Sequence, residues 1–223
     1  MLTLEQARAW YPAEDPVHGY DHVCRVYRLA EGLAAAEGAD LEIVQAAVLL
    51  HDANGVLVDD GLPESTERES HHHRSAEFAA RMLSAADWSA ERIAAVQHCI
   101  RSHRFRDNSE APMTLEAQVV FDADKLDAIG AIGVARAIAF AVQAGQPFYS
   151  PPSRAFLESG KLESGEAHSA YHEYCFKLVK LKERLHTATA RNLAEQRHRR
   201  MVEFFEDLAL ESEPLADRPS LRE

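Results

Sequence analysis

The chain has 223 residues, of which 46% are hydrophobic and 27% charged, and its formal net charge at pH 7 is −12. This composition fits a globular chain of one domain, or one large domain with an extension, and the acidic balance excludes a non-specific binder of duplex nucleic acid, which needs a basic face. No apolar run is long enough to span a bilayer, and the start MLTLEQARAWYP lacks the basic and apolar regions of an export signal.

Two helices are predicted before residue 40. The first covers residues 2–10 and ends before two prolines, and the second covers residues 20–37 and ends at Gly38. Apolar positions in the second helix recur at helical spacing and place His22 on the buried face, with Val26, Leu29 and Leu33. His22 is therefore either an inward-facing ligand or a packed histidine that makes one hydrogen bond.

The neighbouring residues His51 and Asp52 end the third predicted helix, residues 41–52, in the stretch AAVLLHDANG. His51 comes three residues after Val48 and Asp52 comes four after it, so both side chains extend the apolar stripe of that helix. A buried carboxylate is costly unless it is paired or bound to a metal. The pattern predicts an imidazole and a carboxylate aimed into the core at a helix end.

A loop and two helices follow. Residues 53–70 are polar and rich in turn formers, which predicts a loop beside the site. Residues 71–85 and 89–103 are predicted helices. His72 aligns with apolar residues of the first of them, although a solvated helix start is an equal alternative, and His103 lies on the apolar stripe of the second.

Three aspartates lie in the next predicted helix, which begins near Leu115 and is interrupted at one of the two glycines in DAIGAIGVARA. Asp124 falls on the core stripe, and Asp127 lies three residues further on, close to the same face. Asp122 aligns with a more polar side. The period therefore favours Asp124 as the inward carboxylate.

The last third of the chain is also predicted to be helical, with one interruption. Residues 145–168 are rich in Gly, Pro and Ser and predict an irregular insertion. A long helical segment covers 169–210, and the polar tail 211–223 is expected to be disordered. The predicted fold class is all-α, with one domain over residues 1–210. The buried face of the last segment is predicted at Tyr174, Leu178, Leu181 and Leu185.

Three separate helices thus each carry an inward-facing residue or pair of the metal-ligand type: His22, His51-Asp52 and Asp124. Two imidazoles and two carboxylates form a mixed nitrogen and oxygen set, which suits Mn, Fe, Co, Ni or Zn and suits Mg less well. Four protein ligands leave open positions on an octahedral ion for water and substrate. Such an ion lowers the pKa of bound water and polarises a phosphoryl oxygen.

The order of these residues resembles the HD superfamily of metal-dependent phosphohydrolases. The matching stretches are HGYDHVCRV, AAVLLHDANG and DADKLDAIGAIGVARA, and the stretches SHRF and FKLVKL also resemble the subfamily of small bacterial HD hydrolases. The resemblance implies an HD-domain helical bundle with a long C-terminal helical segment. It also implies one divalent ion (Mn, Mg, Co, Ni, Fe or Zn) held by His22, His51, Asp52 and Asp124.

The resemblance carries over further residues. Many HD phosphohydrolases have an acidic residue soon after the His-Asp dipeptide, but HDANGV offers none, so proton transfer falls to Asp127, His103 or Asp52 itself. His103 could also hold substrate. Four more side chains are expected either to bind the phosphate and the rest of the substrate or to make ordinary surface contacts: Arg25, Lys125, His18 and Lys177.

The activity that the resemblance implies is hydrolysis of a phosphate ester or anhydride, most simply of a nucleotide, by a nucleoside triphosphate pyrophosphohydrolase or phosphatase. A second hypothesis is a di-iron oxygenase, because HD-like folds also house these enzymes and His72, His98 and His103 could hold a second iron. A third is a non-catalytic nucleotide-binding module, which the missing acidic residue favours.

The three cysteines are far apart and form no CxxC pair, as is typical of a reducing compartment, so a cytoplasmic location is expected. The expected partner is a small phosphorylated substrate. No duplex nucleic acid and no membrane are expected as partners, and a homodimer is left open.

Overall fold

The computed structural model describes residues 2–11, 19–53, 64–104 and 110–212, without the side chains of 64–70. Every regular element in these ranges is a helix, which confirms the all-α class. Two 3-10 helices cover Arg8–Trp10 and Leu178–Arg184. The α-helices are α1 (Leu4–Ala7), α2 (Tyr20–Glu37), α3 (Leu41–Leu50), α4 (Glu64–Ser84), α5 (Ala90–Ser102), α6 (Leu115–Asp127), α7 (Gly130–Gln143), α8 (Arg154–Ser159), α9 (Ala170–Phe176) and α10 (Ala188–Ser212).

Several boundaries agree with the sequence and three do not. Helix α2 has the predicted bounds and ends because Gly38 is left-handed, with φ of 80°. The first predicted helix is split into α1 and a 3-10 turn. Helix α4 begins at Glu64, so the predicted loop is wrong over 64–70, while 54–63 lie outside the described residues. The long segment predicted over 169–210 consists of α9, a 3-10 helix and α10.

The chain divides into two compact units. One comprises Met1–Asp127 and Leu185–Asn192, and the other comprises Ala128–Arg184 and Leu193–Glu223. The single domain expected over 1–210 stays a prediction, because compactness alone does not decide what folds independently. Most of the expected tail, from residue 213 onward, lies outside the described residues.

Helix α3 occupies the centre of the first unit, where it contacts α1, α2, α4, α5 and α6. Its first turn is capped by the Asp40 carboxylate, which accepts from the backbone N–H groups of Glu42 and Ile43. Seven residues of α3 are buried, whereas Leu41 at its start is 44% exposed. A helix that is apolar almost all round is stable only inside a core. Its C-terminal end therefore delivers the following His-Asp pair to the interior.

Asp122 is buried, contrary to the polar position expected from its period. Its carboxylate accepts the backbone N–H of His186 at 2.8 Å and both the N–H and the hydroxyl of Thr187 at 2.7 and 2.8 Å. Burial raises the pKa of Asp122, while these donors oppose the shift. Thr187 in turn accepts the Ala190 N–H and so starts α10. Asp122 thus holds residues 186 and 187 in the break before α10, where the sequence predicted one continuous helical segment over 169–210.

In the second unit, the insertion over 145–168 is organised by Glu166. This carboxylate accepts the N–H and hydroxyl of Ser153 at 2.6 and 2.8 Å, the N–H of Glu163 at 2.6 Å, and contacts His172 Nε2 at 3.0 Å. These bonds hold the pKa of Glu166 at about 2.

The buried face predicted for the segment over 169–210 is confirmed, since the positions 174, 178, 181 and 185 are all buried.

Across the described residues, no single helix combines the length and the apolar composition needed to cross a membrane. Only Leu115–Asp127 and Gly130–Gln143 taken together, as a bent pair, meet that criterion, and by length and composition alone.

Candidate metal centre

Three of the four predicted metal ligands converge in the first unit. His22 of α2, His51 after α3 and Asp124 of α6 each place one ligand atom within 4.8 Å of the others. His22 Nε2 lies 3.3 Å from Asp124 Oδ1. The two imidazoles are 1% exposed and the Asp124 side chain is 14% exposed, so the cluster is buried but open on the carboxylate side.

Both imidazoles are oriented by bonds to their other ring nitrogen. His22 Nδ1 lies 2.7 Å from Asp127 Oδ2, and His51 Nδ1 lies 2.8 Å from the carbonyl oxygen of Val48. In each ring, Nδ1–H donates to that oxygen, which leaves the lone pair of Nε2 directed at the cluster. The same pairing of a histidine with a carboxylate or carbonyl is the usual support of a metal-bound imidazole.

The fourth predicted ligand, Asp52, belongs to a second and adjoining cluster. Asp52 Oδ1 lies 3.4 Å from His71 Nε2 and 3.5 Å from His103 Nε2, and these three ligand atoms fall within 4.8 Å of one another. Asp52 Oδ2 is 3.4 Å from His51 Nε2. His103 Nδ1 bonds the carbonyl of Ile100 at 2.5 Å, so its Nε2 also faces the carboxylate. Asp52 therefore belongs to the second cluster and also approaches His51 of the first.

The charges in the site match those of metal ligands. Burial lowers the pKa of His51 to about 4, so the ring is neutral at pH 7. Burial opposes ionisation of Asp52, but His51, His103 and His71 hold its pKa well below the usual range. Burial likewise opposes ionisation of Asp124, and Lys125 and His22 overcome it. Neutral imidazoles and ionised carboxylates are the forms that bind metals.

The residues present fit a divalent ion. Among the described residues His51 Nε2 has no hydrogen-bond partner although it is fully buried. A buried acceptor without a donor is rare in folded proteins and needs an explanation. Imidazole lone pairs and carboxylate oxygens that converge in this way are stabilised by a cation, and this mixed nitrogen and oxygen set suits transition metals.

A model of the HD domain family matches residues 19–129. YpgQ of Bacillus subtilis is 36% identical over 212 residues, which cover 92% of this chain and 91% of YpgQ. The chain belongs to the HD-domain superfamily. A crystal structure of YpgQ in complex with ADP superposes on this HD protein with a TM-score of 0.69, at 33% identity, over 96% of this chain and 100% of that one. An HD-superfamily hydrolase from Bacillus thuringiensis gives a TM-score of 0.63 at 27% identity, over 93% and 95% of the two chains.

Asp127, predicted as a base, lies behind the first cluster of this HD domain. Its side chain is 1% exposed and contacts His22 and also Arg25, whose Nε and Nη2 donate to the two carboxylate oxygens at 2.8 and 3.0 Å. Arg25, predicted as a phosphate ligand, is thus engaged through a two-point ion pair. This arrangement suits the orientation of His22.

The other predicted residues are distributed differently. Lys125 Nζ lies 2.5 Å from Asp124 Oδ2, next to the first cluster. Lys177 belongs to the second unit and pairs with Glu173 at 2.7 Å. His18 lies outside the described residues. The roles of these side chains toward a substrate stay predictions.

His71 was missed, because the helix was expected to start there. Helix α4 in fact begins at Glu64, so His71 lies inside it. His71 precedes the buried residues Ser75 and Phe78 by four and seven positions, which is the spacing of residues on one helix face. His72 is buried, which is the inward one of the two alternatives that its position left open, and burial lowers its pKa to about 4. His98 instead contacts Glu110 at 2.5 Å, away from both clusters.

Proposed function

We propose that this HD protein is a metal-dependent phosphohydrolase that uses water to cleave a phosphate ester or anhydride of a nucleotide. The observation that carries the proposal is the convergence of His22, His51 and Asp124, with Asp52 beside them and with imidazole Nε2 atoms directed inward. A divalent ion held there supplies a Lewis acid for a phosphoryl oxygen and acidifies water. YpgQ in complex with ADP supports a nucleotide as the ligand class.

The side chains around the cluster provide the rest of the chemistry in this proposal. Lys125 carries a cation 2.5 Å from Asp124, where it can neutralise charge that develops on phosphate. His103 is a better candidate for the proton acceptor than Asp127, since its Nε2 faces Asp52 at 3.5 Å and its Nδ1 is held by a carbonyl. Asp127 acts behind His22, because both of its oxygens already have donors.

The test is release of phosphate or pyrophosphate from a panel of nucleoside mono-, di- and triphosphates. Metal-stripped protein receives Mn, Mg, Co, Ni, Zn or Fe singly, as wild type, Asp124→Asn and a control, Asp21→Asn, in which an exposed carboxylate beside His22 is lost. We expect metal-dependent turnover that Asp124→Asn loses and Asp21→Asn keeps. Turnover that survives in Asp124→Asn, or in the absence of any metal, would overturn the mechanism.

A second candidate is a di-iron oxygenase, favoured by the adjoining cluster of Asp52, His71 and His103. Two iron ions per chain together with oxygen-dependent turnover would support it. Tight nucleotide binding with no turnover under any metal would support a binding module.

A further inference from the structure

Tyr11 lies directly beneath the turn that carries the two central ligand residues. Its side chain is 5% exposed, and its hydroxyl donates to the carbonyl oxygen of Leu49 at 3.1 Å. The backbone N–H of Asp52 is close enough to the same hydroxyl to oppose the rise in the pKa of the phenol. The phenol thus bonds the backbone before His51 and lies near the backbone after it.

The bond to Leu49 satisfies a carbonyl that the end of the helix leaves open. Helix α3 ends at Leu50, and the Ala53 N–H, which would bond Leu49 in a continuing helix, bonds the carbonyl of Leu50 at 3.3 Å. The last carbonyls of a helix need a donor from elsewhere. Leu49 is fully buried, so the donor must come from the protein, and the Tyr11 hydroxyl provides it.

The backbone of Tyr11 is suited to this contact by the sequence. Tyr11 precedes Pro12, and a residue before proline is held in an extended conformation. Its φ of −118° and ψ of 133° are of that kind. A tyrosine hydroxyl has an ordinary pKa of about 10, so it keeps its proton at neutral pH and donates to Leu49.

The backbone at this turn decides where both ligand residues point. Consecutive side chains on a regular helix diverge by about 100°. Here His51 Nε2 joins one cluster while the carboxylate of Asp52 joins the next, and the two groups stay 3.4 Å apart. A change in the backbone dihedral angles of this turn would change both directions and would displace the Leu49 carbonyl from the Tyr11 hydroxyl at the same time.

We propose that Tyr11 is a positioning residue of the metal centre, whose hydroxyl fixes the helix-end turn so that His51 and Asp52 enter the site together. This inference rests on the proposed metal-dependent function. Tyr11 itself touches neither metal nor substrate in this role.

The test compares Tyr11→Phe with Tyr20→Phe. Tyr20 is a matched control, because its hydroxyl also donates to a backbone carbonyl at 2.9 Å, but to that of Leu4 in α1 and not to one in this turn. Mn²⁺ affinity is measured by titration calorimetry on metal-stripped protein, and amide hydrogen exchange is followed at Asp52 and Ala53. We expect Tyr11→Phe to bind Mn²⁺ at least tenfold more weakly and to exchange these amides at least tenfold faster, with little change in Tyr20→Phe.

The outcomes separate this inference from the proposed function. Wild-type affinity and exchange in Tyr11→Phe would overturn the role of Tyr11 while leaving the metal site intact. An equal loss in Tyr20→Phe would overturn it as well, because the effect would then come from loosening the N-terminal segment. A wild-type protein that binds Mn²⁺ but hydrolyses no phosphate compound contradicts the proposed activity, and the affinity comparison still decides the role of Tyr11. Absence of Mn²⁺ binding by the wild type would remove both.

Discussion

Replacing Asp127 by asparagine removes one charge from the group behind His22 without changing its size. The carboxylate receives His22 Nδ1–H at 2.7 Å and two N–H groups of Arg25 at 2.8 and 3.0 Å. An amide offers one acceptor oxygen and turns an NH₂ group toward one of these donors. We therefore expect the His22 ring to lose its fixed orientation.

The size of the effect follows from these contacts. Loss of a group that orients a metal ligand costs about 10- to 100-fold in metal affinity, or roughly 1.4–2.8 kcal/mol. The fold itself should lose about 1–3 kcal/mol, the cost of leaving a charged group short of a partner. A fully buried ion pair would lose more, but the Arg25 side chain is 29% exposed and can turn to solvent.

Calorimetric titration of metal-stripped Asp127→Asn with Mn²⁺ measures the effect, with Asp21→Asn as the control. If Asp127 orients His22, affinity falls and kcat recovers at saturating Mn²⁺, because His22 can still act as a ligand. If Asp127 is the proton acceptor, affinity stays at the wild-type value, kcat falls at every metal concentration, and the acidic limb of the pH profile disappears. The second pattern would refute the positioning role.

Three further predictions concern one ligand of the first cluster and two carboxylates outside the site. His51→Ala should abolish both Mn²⁺ binding and turnover, and a fully active, metal-free variant would contradict the mechanism. Asp122→Ala should lower the free energy of unfolding by about 2–4 kcal/mol, since three buried or partly buried donors lose their acceptor; urea denaturation measures this, with the exposed Asp207→Ala as control. Glu166 has its pKa lowered to about 2, so its contribution to stability is complete above its unfolded pKa of about 4.3 and is lost as the pH falls toward 2. In Glu166→Gln, the amides of Ser153 and Glu163 should exchange faster at pH 7, and the loss of stability between pH 4.5 and 2 should flatten; unchanged exchange would contradict the assigned role.

Local patterns were sufficient to predict the helices that carry the first cluster. The period of 3.6 residues placed His22 and His51 inward, and both are buried as expected. A left-handed glycine marked the end of α2 to the residue. These signals depend on residues within one or two turns of each other, which is why the sequence carries them.

The features that the sequence did not reveal depend on distant partners. Asp122 is satisfied by Thr187, 65 positions later, and no period along α6 could indicate that contact. His71 was hidden by a misplaced helix start. The hydroxyl of Tyr11 meets Leu49 across 38 positions. Such contacts arise only from tertiary packing, which overrides local preference.

The return of residues 185–192 to the first unit bears on how this protein can be truncated. Every proposed metal ligand lies before residue 128, and the family match ends at 129. Yet residues 185–192 belong to the same unit as the helix that carries Asp124. They donate to the Asp122 carboxylate of that helix, and the Thr189 N–H donates to Glu37 at 2.7 Å. A fragment trimmed to the matched region would contain all of the proposed ligands and still expose a buried acid on the helix that holds one of them. We therefore expect that a shortened form for biophysical work needs residues 185–192 as well, joined to residue 127 by a linker.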